Sequence, residues 1–269
     1  MRTAVQRLRN PLEELYARYN RRRYVHPDPL EFLYRYEDPA DREVVGLVAA
    51  SLAVGRVKTI LRSVSAVLDR MTSHPARFIV DGSRQDVARR FSDFNHRFLT
   101  GENLGALLCG ARSIIRRHGS LGAFFATKVT AADETVLPAL GAFAEELSGD
   151  TGACGRMVSN PCGGSACKKL NLFLRWMVRS DAVDPGGWQG IPTALLIVPL
   201  DTHMLRISSA LGLTESRYPT RAAALEVTAA FRQIAPADPV KYDFALTRLG
   251  IRADTDLEGF LRRCGVPPS

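Results

Sequence analysis

The sequence lacks the long apolar run, the leader and the cysteine spacings that mark several protein classes. No segment approaches the roughly 20 consecutive apolar residues of a membrane helix, and the start MRTAVQRLRN lacks the basic and apolar regions of a secretory signal. The five cysteines are an odd number, and none falls in the paired short C-x-x-C or H-x-x-x-H spacing of a zinc site. These absences predict a soluble, cytoplasmic protein with no membrane partner and no bound metal.

Repeats, low-complexity tracts and long linkers are absent as well. The 269 residues are 46% hydrophobic and 24% charged, which is the composition of an ordinary globule of one or two domains rather than of a disordered chain. With 36 Lys and Arg against 28 Asp and Glu, the net charge is +8. A basic balance of this size favours a polyanionic partner without identifying it.

Almost every periodic segment has the apolar spacing of an amphipathic helix. Each of these segments opens near a Ser, Thr, Asp or Asn cap or closes near Gly. They are NPLEELYARYN, DREVVGLVAASLAVGRVKTILRSVSAVLDRM, GENLGALLCGARSIIRRHG, DETVLPALGAFAEELSG, TRAAALEVTAAFRQIA and DPVKYDFALTRLGI. The only strand-like stretch is TALLIVPL. The sequence therefore predicts an all-α protein.

A glycine turn precedes the most unusual helix of the chain, in NPCGGSACKKLNLF. A turn at Gly163 and Gly164 would leave backbone amides exposed before a helix, where they can bind a phosphate oxygen. A simple helix cap before a new helix is the structural alternative. The charges between Arg156 and Asp181 are five basic and one acidic, which predicts an electropositive turn.

Two adjacent lysines begin this helix. On a helical wheel Lys169 shares a face with Phe173 and Trp176, whereas Lys168 shares a face with Arg175. We therefore expect Lys169 to point inward and Lys168 to point toward solvent. Asp201, in LIVPLDTHMLRI, is the expected N-cap of the next helix, and capping alone would explain it. A chain that returns after a turn can also bring Asp201 to Lys169.

The order hairpin, lysine, helix, loop and aspartate at a helix start resembles the helix-hairpin-helix (HhH-GPD) DNA glycosylases, over roughly residues 41–250. PLDTHMLRI is similar to the aspartate segment of the endonuclease III branch, and the distance along the chain from lysine to aspartate is closer to that of archaeal 8-oxoguanine glycosylases. RYVHPDPLEFLYRYEDPADREVVGLVAASLAVGRV through KYDFAL resembles a bacterial family of unassigned function in this superfamily.

The resemblance assigns roles residue by residue. It makes Lys169 the catalytic lysine and Asp201 the catalytic aspartate. The DNA contacts that it implies are Gly163, Gly164, Ser165, Lys168 and Arg156. The chain departs from the family in three places: PCGGSAC replaces the usual L-P-G-V-G, Ala53 stands where a glutamine helps to fill the gap left by the flipped base, and the four-cysteine motif is missing. No iron–sulfur cluster or other cofactor is expected.

Three aromatic residues are candidates for the base pocket: Trp188, Phe173 and Trp176. Phe173 and Trp176 fall at helical spacing on an apolar face, which is more typical of core residues. Trp188 follows two glycines in a loop, where it can stack on a base. Cys154, Cys162 and Cys167 lie near one another in the sequence, but their spacing does not favour zinc.

The resemblance implies two helical lobes with an interlobe cleft, one lobe of residues 41–199 with the hairpin and another of residues 1–40 plus 200–269. It implies a monomeric, nucleoid-associated enzyme that acts on double-stranded DNA with a damaged base. Such an enzyme removes an oxidised base, 8-oxoguanine before others, through a lysine Schiff base, and then cleaves the strand by β-elimination. The alternatives are a glycosylase for another damaged base and a non-catalytic DNA-binding module.

Overall fold

The computed structural model describes residues 5–149, 152–252 and 254–266, and helices dominate it, which confirms the predicted all-α class. No helix in this part of the chain is both long and apolar enough to cross a membrane. The α-helices are α1 Arg9–Tyr19, α2 Pro39–Ser51, α3 Val57–Leu68, α4 Pro75–Asp81, α5 Arg84–Arg90, α6 Gly101–His118, α7 Leu121–Ala126, α8 Leu137–Ser148, α9 Lys168–Val178, α10 Thr202–Ala210, α11 Arg221–Ile234, α12 Asp243–Ile251 and α13 Leu257–Arg263.

Short 3₁₀ helices and one small hairpin connect these elements. The hairpin pairs β1 Asn95–His96 with β2 Leu99–Thr100 in antiparallel register. The strand-like stretch TALLIVPL forms no strand: a 3₁₀ helix at Thr193–Leu195 is followed by buried chain without regular secondary structure. There the amide of Val198 donates to Thr228 Oγ1 at 3.0 Å. The apolar residues of this stretch are there because the chain is buried, and they do not pair with another strand.

Helix α2 lies at the centre of the core and packs against α9. Asp38 caps it by accepting a hydrogen bond from the amide of Ala40, and Pro39 fits its first turn. Every residue from 43 to 51 is buried. A Cβ on Gly46 would lie 3.2 Å from the ring of Phe173, so a small residue lets the two helices approach closely.

The long helical segment predicted from Asp41 is in fact two helices. The chain turns between α2 and α3, and Gly55 adopts a positive φ of +102°. A Cβ on Gly55 would lie 2.6 Å from a guanidinium nitrogen of Arg97, so a side chain there would meet both strain and a clash. The turn carries Ala53 and Arg56 into a cavity at the start of α9.

The early and late parts of the chain pack together. Helix α1 contacts α12, Glu13 accepts hydrogen bonds from Lys241 Nζ at 2.8 Å and Tyr242 at 2.6 Å, and Arg248 pairs with Asp28 at 2.6 Å. The second predicted lobe requires such contacts. The boundaries of both lobes stay predictions, and residues 1–4, 150–151, 253 and 267–269 of them lie outside the described part.

Candidate active site

A cavity of about 890 Å³ opens at the start of α9, and we call it the lysine cleft. Its wall combines the first residues of α9 and α10 with the α2–α3 turn, the tip of the β-hairpin and the face of α12. The lining residues that matter below are Ala53, Arg56, Arg97, Ser165, Cys167, Lys168, Lys169, Arg175, Asp201, His203 and Asp243. The cleft thus joins residues that are far apart in the sequence.

Asp201 is the N-cap of α10, as predicted. Its Oδ1 accepts hydrogen bonds from the amides of His203 and Met204, both at 2.9 Å. Its Oδ2 lies 3.1 Å from Lys168 Nζ. Burial opposes ionisation of this carboxyl group, but the charge of Lys168 and the Met204 amide hold its pKa below the usual value. Asp201 is therefore a fixed carboxylate whose second oxygen faces a lysine.

The partner of Asp201 is Lys168, so the predicted pairing of Asp201 with Lys169 is wrong. Lys168 Nζ also donates to the carbonyl of Ala53 at 3.3 Å. The expectation that Lys168 points to solvent is wrong for the same reason, since its side chain is 31% exposed and directed at the cleft. The helical wheel assumed one buried face, whereas α9 is buried on almost all sides from Leu170 to Val178. Only the first turn meets the cavity.

Lys169 also lines the cleft but has a different environment. It is half-buried, and Nζ donates to the backbone carbonyl of Arg156. No carboxylate among the described residues forms an ion pair with it. Burial and the neighbouring charge of Lys168 lower the pKa of Lys169 to about 8. A sizeable fraction of this amine is therefore neutral just above neutral pH, which is the form that a nucleophile requires.

The turn before α9 does not offer the free amides that were predicted. The amide of Gly163 donates to Asn160 O at 3.2 Å and that of Gly164 to Pro161 O at 3.1 Å. Both groups are used inside the turn around the 3₁₀ helix Pro161–Gly163. Ser165 Oγ accepts from the amide of Cys167. Phosphate binding through the amides of Gly163 and Gly164 would need this turn to rearrange.

Cys167 sets the direction in which α9 begins. It is the N-cap and has a positive φ of +48°, a conformation that favours glycine and that non-glycine residues rarely adopt. Its Sγ donates to Ser159 O at 3.2 Å. Nothing in the sequence signals this backbone geometry. The described residues contain no group of three or more His, Cys, Asp or Glu side chains arranged to hold a metal ion.

Arg156, whose carbonyl accepts from Lys169, lies near an aromatic residue that the sequence did not single out. Phe98, at the tip of the β-hairpin, is 45% exposed. The guanidinium of Arg156 lies 5.2 Å from its ring centroid and that of Arg97 lies 5.9 Å from it. Arg97 has a positive φ of +60° in the two-residue turn. An exposed aromatic flanked by two cations is suited to nucleic-acid contact.

The three aromatic candidates for the base pocket are wrong. Phe173, Trp176 and Trp188 are buried in the core, and none of them lines the cleft. Phe173 stacks on Phe143 with ring centroids 6.2 Å apart, and Trp188 packs edge-on against Phe173 at 5.2 Å. The loop that carries Trp188 folds inward, because its amide donates to Met177 O at the end of α9.

A buried network of charges supports the cleft from below. Arg175 lies between Asp184 and Asp243, and its Nε donates to Asp184 Oδ1 at 3.1 Å. Arg179 pairs with Asp184, Asp181 and Asp238. Two of the five basic charges that predicted an electropositive turn are thus neutralised inside the protein. The electropositive region is smaller than expected.

Asp243 joins this network to the cleft. Its Oδ2 accepts from Arg175, whereas its Oδ1 is buried and makes no hydrogen bond within the described residues. Burial raises the pKa of Asp243 to about 6 in spite of Arg175. The sequence offered one signal for this network, namely two arginines one helical turn apart in an otherwise apolar helix.

A comparison with protein families matches residues 28–252 to a family described as a protein of unknown function (DUF2400). The chain belongs to this family. The matched range holds every residue of the lysine cleft named above. No curated protein and no solved structure matches the chain.

Proposed function

We propose that this protein is a DNA glycosylase with an associated lyase activity, which excises an oxidised base from duplex DNA through a Schiff base on Lys169. The observation that carries the proposal is the chemistry of one cavity. An amine with a pKa of about 8 lines this cavity without a carboxylate partner among the described residues, and the same cavity is lined by a carboxylate whose pKa Lys168 and a helix start hold below the usual value. These are the two groups that lysine-based base excision needs.

The reaction can be written with these groups. The neutral Nζ of Lys169 attacks C1′ of the nucleotide, the electron pair of the C1′–N bond leaves with the base, and the base takes up the proton that Nζ loses. Positive charge develops on C1′ and the ring oxygen as this bond breaks, and the carboxylate of Asp201 stabilises it. Opening of the sugar ring gives the imine. Loss of a proton from C2′ then expels the 3′ phosphate by β-elimination.

Lys168 is the less suitable nucleophile because its Nζ is engaged by the carboxylate of Asp201 at 3.1 Å and by the carbonyl of Ala53. We assign it a positioning role with two consequences. Its charge holds Asp201 Oδ2 in place at 3.1 Å, and the same charge lowers the pKa of Lys169. The two lysines therefore have different roles: Lys168 holds the carboxylate and Lys169 supplies the amine.

The tip of the β-hairpin, where Arg97 lines the cleft, has side chains suited to contact with a bent duplex. Extruding a base leaves a gap in the stack and costs a few kcal/mol, and an aromatic side chain that stacks in that gap recovers part of this energy. The helix-hairpin-helix resemblance supplies no such residue from the α2–α3 turn, where Ala53 stands in place of glutamine. Phe98 is exposed next to Arg97, which lines the cleft, and the guanidinium groups of Arg97 and Arg156 lie near its ring; we assign the filling role to it.

The substrate class rests on the resemblance, because the cleft supports excision chemistry without naming the base. Trapping with borohydride tests both the excision chemistry and the choice of base. Duplexes that carry 8-oxoguanine, other oxidised bases or a preformed abasic site are incubated with the protein and sodium borohydride, which reduces an imine to a stable amine. We expect a covalent adduct with the abasic duplex and with 8-oxoguanine, and none with undamaged DNA. Tight binding without any adduct would favour a non-catalytic nucleic-acid-binding protein.

A further inference from the structure

A second concave surface lies outside the lysine cleft and has no role in the proposed reaction. It is a groove of about 1330 Å³ between α6 and α8, which we call the α6–α8 groove. It shares no lining residue with the cleft. The segment 158–160 separates them: Val158 and Asn160 line the groove, and Ser159 lines the cleft. A ligand in the groove would therefore contact a different set of side chains.

The groove is strongly basic. Its charged lining residues are five basic and two acidic: Arg84, Arg112, Arg116, Arg117, Lys128, Glu145 and Glu146. Arg117 is neutralised by Glu146, and Asn160 Nδ2 lies 3.4 Å from Glu145. The guanidinium groups of Arg84, Arg112 and Arg116 form no ion pair or hydrogen bond within the described part of the chain. Three guanidinium groups thus line one groove without a partner among the described residues.

Arg112 is the informative member of this set. It is half-buried on α6, and its Nε is buried with no hydrogen-bond partner among the described residues. A buried donor left unpaired is unfavourable, and natural proteins rarely retain one without a use. Arg116 lies one helical turn away, about 6 Å along the helix axis. Two forks at this separation match successive phosphates along a nucleic-acid strand.

We propose that the α6–α8 groove binds the phosphodiester backbone of a nucleic-acid strand at a site separate from the lysine cleft. The groove exposes no large aromatic residue on which a base can stack, because Phe124 is the only aromatic in its lining and is buried. Recognition is therefore of phosphates rather than of sequence. The inference does not rest on excision chemistry, and a protein that forms no borohydride adduct should still bind in this way.

The test is the salt dependence of binding to a fluorescent single strand of about one helical turn in length, followed by anisotropy. The groove variant is Arg112→Gln with Arg116→Gln. The matched control is Arg7→Gln with Arg263→Gln, which removes the same charge from exposed positions outside both sites. Each phosphate of a single strand that the protein neutralises releases counterions and contributes about 0.7 to the magnitude of the slope of log K against log salt. We expect the groove variant to lower this slope by about 1.4 and the control to leave it unchanged.

Several results would overturn the inference. One is a groove variant with the slope and affinity of the control while thermal unfolding shows that both are folded. Another is displacement of the strand from the groove by inorganic tripolyphosphate at equal phosphate concentration, which would assign the site to free polyphosphate. A third is stronger competition by a polyglutamate peptide than by unlabelled strand at equal charge, which would assign the groove to an acidic protein.

Discussion

Helix α9 carries two pairs of cations that the protein treats in opposite ways. Arg175 and Arg179, near its end, are buried and surrounded by Asp181, Asp184, Asp238 and Asp243. Lys168 and Lys169, at its start, share the single carboxylate of Asp201, and Lys168 takes it. The arginine pair is fully compensated and therefore stabilises the fold. The lysine pair is under-compensated, and burial together with the charge of Lys168 lowers the pKa of Lys169.

The largest expected effect is on catalysis. Lys169→Gln removes the nucleophile and should lower adduct formation and strand cleavage by at least about a thousandfold, in the range seen when other enzymes lose a nucleophile. Its melting temperature should stay at or above that of the wild type, because a half-buried amine without a carboxylate partner adds little stability. Trapping on the abasic duplex measures the activity. Lys58→Gln, an exposed lysine outside the cleft, is the matched control and should be fully active.

At the other end of α9 the same kind of change should act on stability. Arg175→Met leaves two buried carboxylates without their main cation, and we expect the free energy of unfolding to fall by about 3–5 kcal/mol. Lys168→Met, which breaks a partly exposed pair, should lower it by about 1 kcal/mol or less. Urea unfolding followed by circular dichroism compares the two. Equal losses would erase the distinction between a structural and a functional pair.

Two variants of Asp201 separate its capping of α10 from its proposed stabilisation of positive charge. Asp201→Asn keeps an acceptor for the amides of His203 and Met204 but loses the charge, so base excision should fall by about 10²–10³. Its stability should stay within about 1 kcal/mol of the wild type, since Asn caps nearly as well as Asp. Asp201→Ala should lose a further ~1 kcal/mol, the usual effect of a removed N-cap. Excision by Asp201→Asn at the wild-type rate would leave this residue with a capping role alone.

The exposed hairpin should make a smaller contribution. Phe98→Ala removes the residue assigned to the gap in the stack, and a stacking contact is worth about 1–3 kcal/mol. We expect excision from a paired duplex to fall by roughly tenfold, with little change on a substrate whose damaged base is unpaired and costs less to extrude. Tyr218→Ala, at another exposed aromatic, is the control. The same loss on both substrates would indicate general DNA binding instead.

The smallest effect should be a shift in pH dependence. The amine of Lys169 is protonated below a pKa of about 8 and neutral above it, so adduct formation by the wild type should rise with pH through that value. Lys168→Gln removes the like charge and should move this rise to higher pH, because one of the two causes of the lowered pKa is gone. Rates of trapping on a preformed abasic site, measured across pH, give both profiles. A profile unchanged by Lys168→Gln would contradict the coupling of the two lysines.

The helices and the N-cap at Asp201 were predictable, because they depend on local periodicity and capping. The partner of each lysine was not. A helical wheel assumes one buried face, whereas α9 is buried on nearly every side and exposes only its first turn to the cleft. The left-handed backbone of Cys167 sets the direction of that turn. The residue type at this position does not predict such a conformation. Phe98 was missed because its hairpin is only two residues long on each strand.

The aromatic candidates failed for a related reason. Trp188 follows two glycines and has the sequence context of an exposed loop, yet backbone hydrogen bonds to the end of α9 draw that loop into the core. Local sequence gives the conformational freedom of a loop but not the surface on which the loop packs. The charges of Arg175 and Arg179 were likewise counted as surface charge, because their four carboxylate partners lie on other segments of the chain.

The most direct test of the central claim is to identify the lysine in the trapped complex. Wild-type protein is reduced with borohydride on the abasic duplex, digested with nuclease and protease, and mapped by mass spectrometry. An endoprotease that cuts at acidic residues keeps both lysines in one peptide, and fragmentation then assigns the modified residue. We expect modification of Lys169, the under-compensated amine. Modification of Lys168 would overturn this assignment, because the lysine paired with Asp201 would then be the nucleophile.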